Sequence, residues 1–162
     1  MNENFSPEDL EKLIGYRFQN RVILDAALTR RAYVNEHPDT KECMDLLATV
    51  GDAILDSVAA YRLYEGGTRD PGKLTTERSE EVKRGKTRRF AEKNHLGDFV
   101  NWGKGEKQDD VGAKGTKAYD AVTEALIAAV FLDAQEHGLN GIEEVGKMLD
   151  KLNFLFIPAG KK

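Results

Sequence analysis

The chain has 162 residues, a formal charge of −4, 40% hydrophobic and 32% charged residues, and one cysteine. That length suits a single domain with a real core, one thiol builds neither a disulfide framework nor a cysteine zinc site, and the acidic balance does not advertise a polyanion-binding surface. No apolar run reaches membrane-spanning length, and the acidic, polar start Met1-Asn2-Glu3-Asn4 is unlike a secretory leader, which predicts an intracellular, cytoplasmic protein.

The first element opens on Ser6-Pro7-Glu8-Asp9, an N-cap with proline at the first helical position and acids in the first turn, and closes at Gly15. Asn20 caps a second short helix through Val22, Ile23, Ala26, Ala27 and Leu28. After the break at His37-Pro38-Asp39, Leu47, Val50, Ile54, Val58 and Tyr61 recur at helical steps with Leu46, Ala53 and Leu55 on the flanks. This predicts a helix apolar nearly all round, in the middle of a bundle. Gly66-Gly67 and Asp70-Pro71-Gly72 mark a loop, followed by a polar surface helix from about Thr76 to Asn94 that tolerates Gly85. Leu96 to Val100 leads into a glycine-rich loop running to Gly115. A second apolar helix occupies about Thr116 to His137, and Ile142, Val145, Met148, Leu149 and Leu152 mark a last amphipathic helix. Alternating segments are scarce, so the fold class is all-α, one domain over residues 1–162 with its core at about 8–150.

Both apolar helices are interrupted by carboxylates, and a carboxylate among Leu, Ile, Val and Ala must be protonated, paired or holding a cation. Asp45, Asp52 and Asp56 fall on one stripe, at intervals of seven and four residues, and Asp120 and Glu124 are one turn apart on the other helix. If the helices pack, Asp52 and Glu124 can face each other, and oxygen ligands from opposed helices suit magnesium, with water completing its shell. Such a cation held against a phosphodiester would neutralise charge developing on its oxygens. Taken singly, each acid is as well explained by capping, ion pairing or solvent exposure. His37, His95 and His137 fall in loops or helix ends, and Tyr119, Phe131 and Trp102 read as core or interface. Basic residues gather at Lys83, Arg84, Lys86, Arg88, Arg89 and Lys93, and again at Lys104, Lys107, Lys114 and Lys117. These are either solvated faces or a local surface for a polyanion such as a nucleic acid.

The run Asp45-Leu46-Leu47-Ala48-Thr49-Val50-Gly51-Asp52-Ala53-Ile54-Leu55 resembles the signature helix of ribonuclease III domains. In the same order, Leu10 to Phe18 and Ala26-Ala27-Leu28-Thr29 resemble the family's opening helices, Lys73-Leu74-Thr75 with Arg78 its Leu-Thr-x-x-Arg segment, and Gly103-Lys104-Gly105-Glu106 a recurrent loop. Glu124-Ala125-Leu126-Ile127-Ala128-Ala129-Val130-Phe131-Leu132-Asp133 resembles its later acidic helix. The resemblance covers about residues 8–150 and implies an all-α endonuclease domain that forms a homodimer and cuts double-stranded RNA with magnesium, manganese serving as a substitute. On it, Asp52 and Glu124 are the catalytic and metal-associated carboxylates and Asp45 is an interface or supporting residue, while the basic clusters make Arg84, Arg88, Arg89, Lys104 and Lys107 the expected RNA contacts.

The departures are specific. Ala48 and Ala121 stand where the family carries two further metal-site acids, and Thr49 replaces an aromatic that plugs the partner subunit. The compact Mini-III branch resembles this chain in keeping the aspartate and the later glutamate without the other two acids, and in carrying an acid at the place of Asp56. The expectation is therefore a magnesium-dependent ribonuclease III-type enzyme in RNA processing that relies on Asp52 and Glu124, with Asp120 and Asp56 compensating through water. The alternative is a silent ribonuclease III fold that binds structured RNA or serves as a ribonucleoprotein subunit.

Overall fold

The structure, a computed structural model, describes residues 6–83, 85–106 and 117–154. The helices among them are α1 (Pro7–Ile14), α2 (Arg21–Ala27), α3 (Arg31–Glu36), α4 (Asp45–Glu65), α5 (Pro71–Glu81), α6 (Lys86–Lys93), α7 (Lys117–Glu136) and α8 (Gly141–Lys151), with single 3-10 turns at Leu96–Phe99 and Lys104–Glu106. The described residues contain no strand, only an isolated bridge between Thr29 and Asn101, so the all-α class holds.

Local chemistry explains the ends of these helices. Ser6 and Asp9 form a reciprocal capping box over α1, whose C-cap Gly15 takes the left-handed conformation at φ 76°. The Asn20 side chain accepts from the N–H groups of Val22 and Ile23. Asp70 caps Lys73, so the expected loop at Asp70-Pro71-Gly72 is in fact the start of α5, with proline at its first position. The polar helix expected from Thr76 to Asn94 is two helices. Gly85, at φ 85°, turns the chain between them, a conformation that glycine takes at no steric cost and other residues do not. The short α3 lies before the break at His37-Pro38-Asp39, in a segment for which the sequence pattern gives no element.

Helices α4 and α7 form the central pair. Leu55, Val58 and Ala59 of α4 and Leu126, Ile127 and Val130 of α7 are fully buried, together with Leu10, Leu24, Met148 and Leu149 from the helices around them. Full burial of a Leu- or Ile-sized side chain contributes about 1.5–3 kcal/mol. Arg62 of α4 grips Asp150 of α8 with two hydrogen bonds of 2.5 and 2.7 Å. The expectation of an α4 buried on all sides is corrected: α7 is the enclosed helix. Asp45, Leu46, Thr49, Asp52, Ala53, Ser57, Tyr61 and Tyr64 form an exposed face of α4, on which Leu46 is 74% exposed. The pattern misleads because apolar residues lie on that open face as well as on the buried one.

Candidate active site

The site is built on the closest approach of the two central helices. A Cβ placed on Gly51 would lie 1.7 Å from the carbonyl oxygen of Glu124 and 3.2 Å from the amide nitrogen of Ala128. Only glycine lets the two backbones meet there, and the expected packing of α4 on α7 is therefore closest where the candidate acids sit. Asp52 follows Gly51 in α4 and is exposed, with no hydrogen bond or ion pair to any described residue. Glu124 sits on the other side of the contact and is half-buried.

The neighbouring acids are engaged differently. Asp56, one turn beyond Asp52, accepts a 2.7 Å hydrogen bond from the Arg78 guanidinium of α5. Asp120, one turn before Glu124, is buried and accepts from the Thr87 hydroxyl at 2.5 Å and from Arg88 Nη2 at 3.3 Å. The Thr123 hydroxyl in turn donates to the Thr87 carbonyl at 3.0 Å, stitching α7 to α6. Asp45 pairs with Arg31 at 3.1 Å on the surface. Ala48 is buried and Ala121 half-buried, so no carboxylate reaches the crossing from either position. Among the described residues no group of three metal-ligating side chains converges. Asp52 and Glu124 are the two candidate acids whose positions flank the backbone contact at Gly51. Two carboxylate donors are the kind and number that magnesium takes, water and phosphate oxygens filling the rest of its octahedron.

Of the basic residues expected at RNA, Arg88 is tied to Asp120, Arg89 is exposed, and Arg84 and Lys107 lie outside the described residues. Lys104 is exposed on its 3-10 turn. That turn is fixed to α3 by the Lys104 N–H donating to Glu36 at 2.9 Å and by the Arg30–Glu106 pair at 2.8 Å. His37 and His137 bond carbonyl oxygens one turn back, at 2.8 and 2.7 Å, as helix-end residues do.

Sequence reasoning missed the most deeply buried acid. Asp133, at 0% exposure, accepts from the Tyr16 hydroxyl at 2.7 Å and from the N–H groups of Asn20 at 2.7 Å and Gln19 at 3.2 Å. Burial, followed by the bond to Asp133, pushes the Tyr16 phenol well above its ordinary value of 10.0. Glu11 does similar work from α1, accepting from the Phe18 N–H at 2.8 Å and pairing with Arg21. Both acids clamp the 16–20 turn. The available signal was the unpaired run of N–H groups in that turn, which needs acceptors from somewhere.

The fold and crossing define an all-α domain built on the α4–α7 pair. The nuclease domain of ribonuclease III from Campylobacter jejuni matches with a TM-score of 0.74 and 25% identity, over 93% of this chain and 99% of that one, and its structure is described as flexible in a region involved in dimer formation. A family model described as Ribonuclease-III-like matches residues 20–147, and the chain belongs to that family. It is 34% identical over 156 residues to Ribonuclease 3 of Listeria innocua, covering 94% of this chain and 65% of that one. It is 36% identical over 115 residues to the Ribonuclease 3 of aster yellows witches'-broom phytoplasma, covering 71% and 48%. The chain thus spans less than two thirds of the length of these relatives. No helix among the described residues is long and apolar enough to cross a membrane.

Proposed function

We propose that this chain is a magnesium-dependent endoribonuclease of the ribonuclease III type that cuts double-stranded or structured RNA in the cytoplasm as a homodimer. The observation that carries this reading is the Gly51 crossing. There, in a ribonuclease III-like domain, the unpaired, exposed Asp52 and the half-buried Glu124 flank the closest approach of α4 and α7. Asp52 and Glu124 would hold the cation, and magnesium when bound supplies neutralisation of charge on the scissile phosphate. Asp52 presents its carboxylate to solvent, where a phosphodiester can approach. The backbone of Glu124 is held at the helix contact, which sets where its half-buried side chain starts. Asp56 and Asp120 act one turn away, each carrying an arginine, so any contribution to the cation runs through water. The open face of α4, with Leu46, Ala53, Tyr61 and Tyr64 beside the Asp45–Asp52–Asp56 stripe, supports the dimer. Pairing there would set two cutting centres side by side.

The test is incubation of labelled double-stranded RNA with magnesium and the wild-type chain, Asp52→Asn or Glu124→Gln. Cleavage by wild type with loss of at least about 100-fold in either variant, an effect of the size seen when a transition-state electrostatic group is removed, is the expected result. RNA retained but uncut by all three would replace this reading with that of a silent RNA-binding subunit, which the prior engagement of Asp56 and Asp120 by arginines favours. Mass in solution addresses the dimer, since a strict monomer cannot place two centres across a duplex.

A further inference from the structure

Each of the two remaining candidate metal carboxylates has, one helical turn away on its own helix, an aspartate that holds an arginine. Asp56 follows Asp52 by four residues and binds Arg78. Asp120 precedes Glu124 by four and binds Arg88. A turn of helix is about 5.4 Å, so each of these aspartates stands within one turn's rise, along its helix, of a candidate ligand. The two guanidinium groups come from different helices, α5 and α6, and approach from outside the α4–α7 pair.

The two arginines are also incompletely used. Their side chains are 32% and 30% exposed. Arg78 spends Nη1 on Asp56, and its Nε and Nη2 make no hydrogen bond among the described residues. Arg88 spends Nη2 on Asp120, while its Nε is buried without a hydrogen-bond partner there. A guanidinium whose fork is half-engaged by a carboxylate is oriented yet keeps donors for a second anion, and its planar array matches phosphate oxygens. In Arg88 the donor left for such an anion is Nη1, which makes no hydrogen bond among the described residues, because Nε is closed off from solvent.

We infer that Arg78 and Arg88 form a guanidinium pair flanking the Asp52–Glu124 centre that binds RNA phosphates, with Asp56 and Asp120 as the positioning residues that aim them. The inference rests on the ribonuclease reading and extends it. With Ala48 and Ala121 in place of two acids, the centre has lost two negative charges, and the arginines add fixed positive charge beside whatever single cation it holds. A phosphate is then gripped by the protein directly where a richer carboxylate set would grip it through metal. Arg88 belongs to the basic helix singled out in the sequence. Arg78 stands outside it, in the Leu-Thr-x-x-Arg segment, and its bond to Asp56 is what places it beside the centre.

The experiment is retention of labelled double-stranded RNA without divalent cation, at several salt concentrations, by wild type, Arg78→Ala, Arg88→Ala, the double variant and Lys12→Ala. Lys12, on α1, is 80% exposed and serves as the control for removal of one remote charge. Each phosphate neutralised adds about 0.9 to the slope of log affinity against log salt for a duplex. The slope is therefore expected to fall by about one in each single variant and about two in the double, and to stay unchanged in Lys12→Ala. Arg78→Lys keeps the charge without the fork and should restore the slope while recovering only part of the affinity. That pattern separates phosphate binding from a structural ion pair, as does circular dichroism showing each variant folded. Slopes equal to wild type in folded Arg78→Ala and Arg88→Ala would overturn the guanidinium pair and leave the ribonuclease reading standing. Failure of wild type to retain RNA at any salt would likewise overturn the guanidinium pair, while the ribonuclease reading stands or falls separately on cleavage in the presence of magnesium.

Discussion

Asp133 and Asp52 are both aspartates set in apolar helical runs, and they are finished in opposite ways. Asp133 is fully enclosed, and its oxygens are spent on a phenol and two backbone N–H groups, so its charge is compensated by the fold. Asp52 stands open to solvent with no partner among the described residues, immediately after the glycine that brings two helices into backbone contact. One acid is consumed in holding the 16–20 turn against α7. The other is free for a ligand. The difference teaches that an acid in an apolar run marks function only when the fold leaves it unsatisfied in a place that a ligand can reach.

The largest effect expected at either region follows from Gly51→Ala. A methyl group 1.7 Å from the Glu124 carbonyl cannot be accommodated by a side-chain rotation, so α4 and α7 must separate. Overpacking against backbone should cost about 3 kcal/mol or more in urea unfolding. A loss below about 1 kcal/mol would mean that the helices do not close at this point, and the crossing would lose its special status.

Exchanging the two aspartates' fates sharpens the contrast. Asp133→Ala leaves a buried hydroxyl and two N–H groups without their acceptor and should cost about 2–3 kcal/mol. Asp52→Asn, on an exposed face, should stay within about 0.5 kcal/mol of wild type. Equal losses in the two variants would erase the distinction.

The smallest predicted effect is in alkaline solution. The Tyr16 phenol is raised above its ordinary value of 10.0 in the folded chain. Its contribution to stability is therefore complete below about pH 10 and declines as pH rises further, because the unfolded state releases the proton first. Tyr16→Phe should remove that part of the alkaline decline and cost about 1 kcal/mol at neutral pH through the lost bond to Asp133. Unfolding midpoints measured between pH 8 and about pH 11 in the two chains check the sign.

Much of the fold was legible because it rests on local chemistry. The N-cap at Ser6 with its first-turn acids, the Asn20 cap and the apolar faces of α7 and α8 follow from neighbours in sequence. The break at Gly85 was misjudged because a glycine in a charged run is compatible with a weakened helix as well as with a turn, and the choice depends on what α6 packs against. The open face of α4 was hidden for a related reason: Leu46, Tyr61 and Tyr64 read as core until the surrounding helices prove too few to cover them. At the candidate site, residue types and helical spacing singled out Asp52, Asp56, Asp120 and Glu124. Periodicity places acids on a stripe, but only the approach of α5 and α6 reveals that Arg78 and Arg88 have already claimed two of them. Asp133 was overlooked because its partners lie more than a hundred residues away in sequence.

The claim that the fold leaves Asp52 for a cation is tested most directly by unfolding the chain at increasing magnesium concentration, with wild type and Asp52→Asn compared in the absence of RNA. A cation bound to the native state stabilises it by about 1.4 kcal/mol when present at ten times its dissociation constant. Wild type should gain stability along that curve, and Asp52→Asn should gain little over the same range. Magnesium-dependent stabilisation of equal size in both chains would show that the cation is held elsewhere and would contradict the assignment.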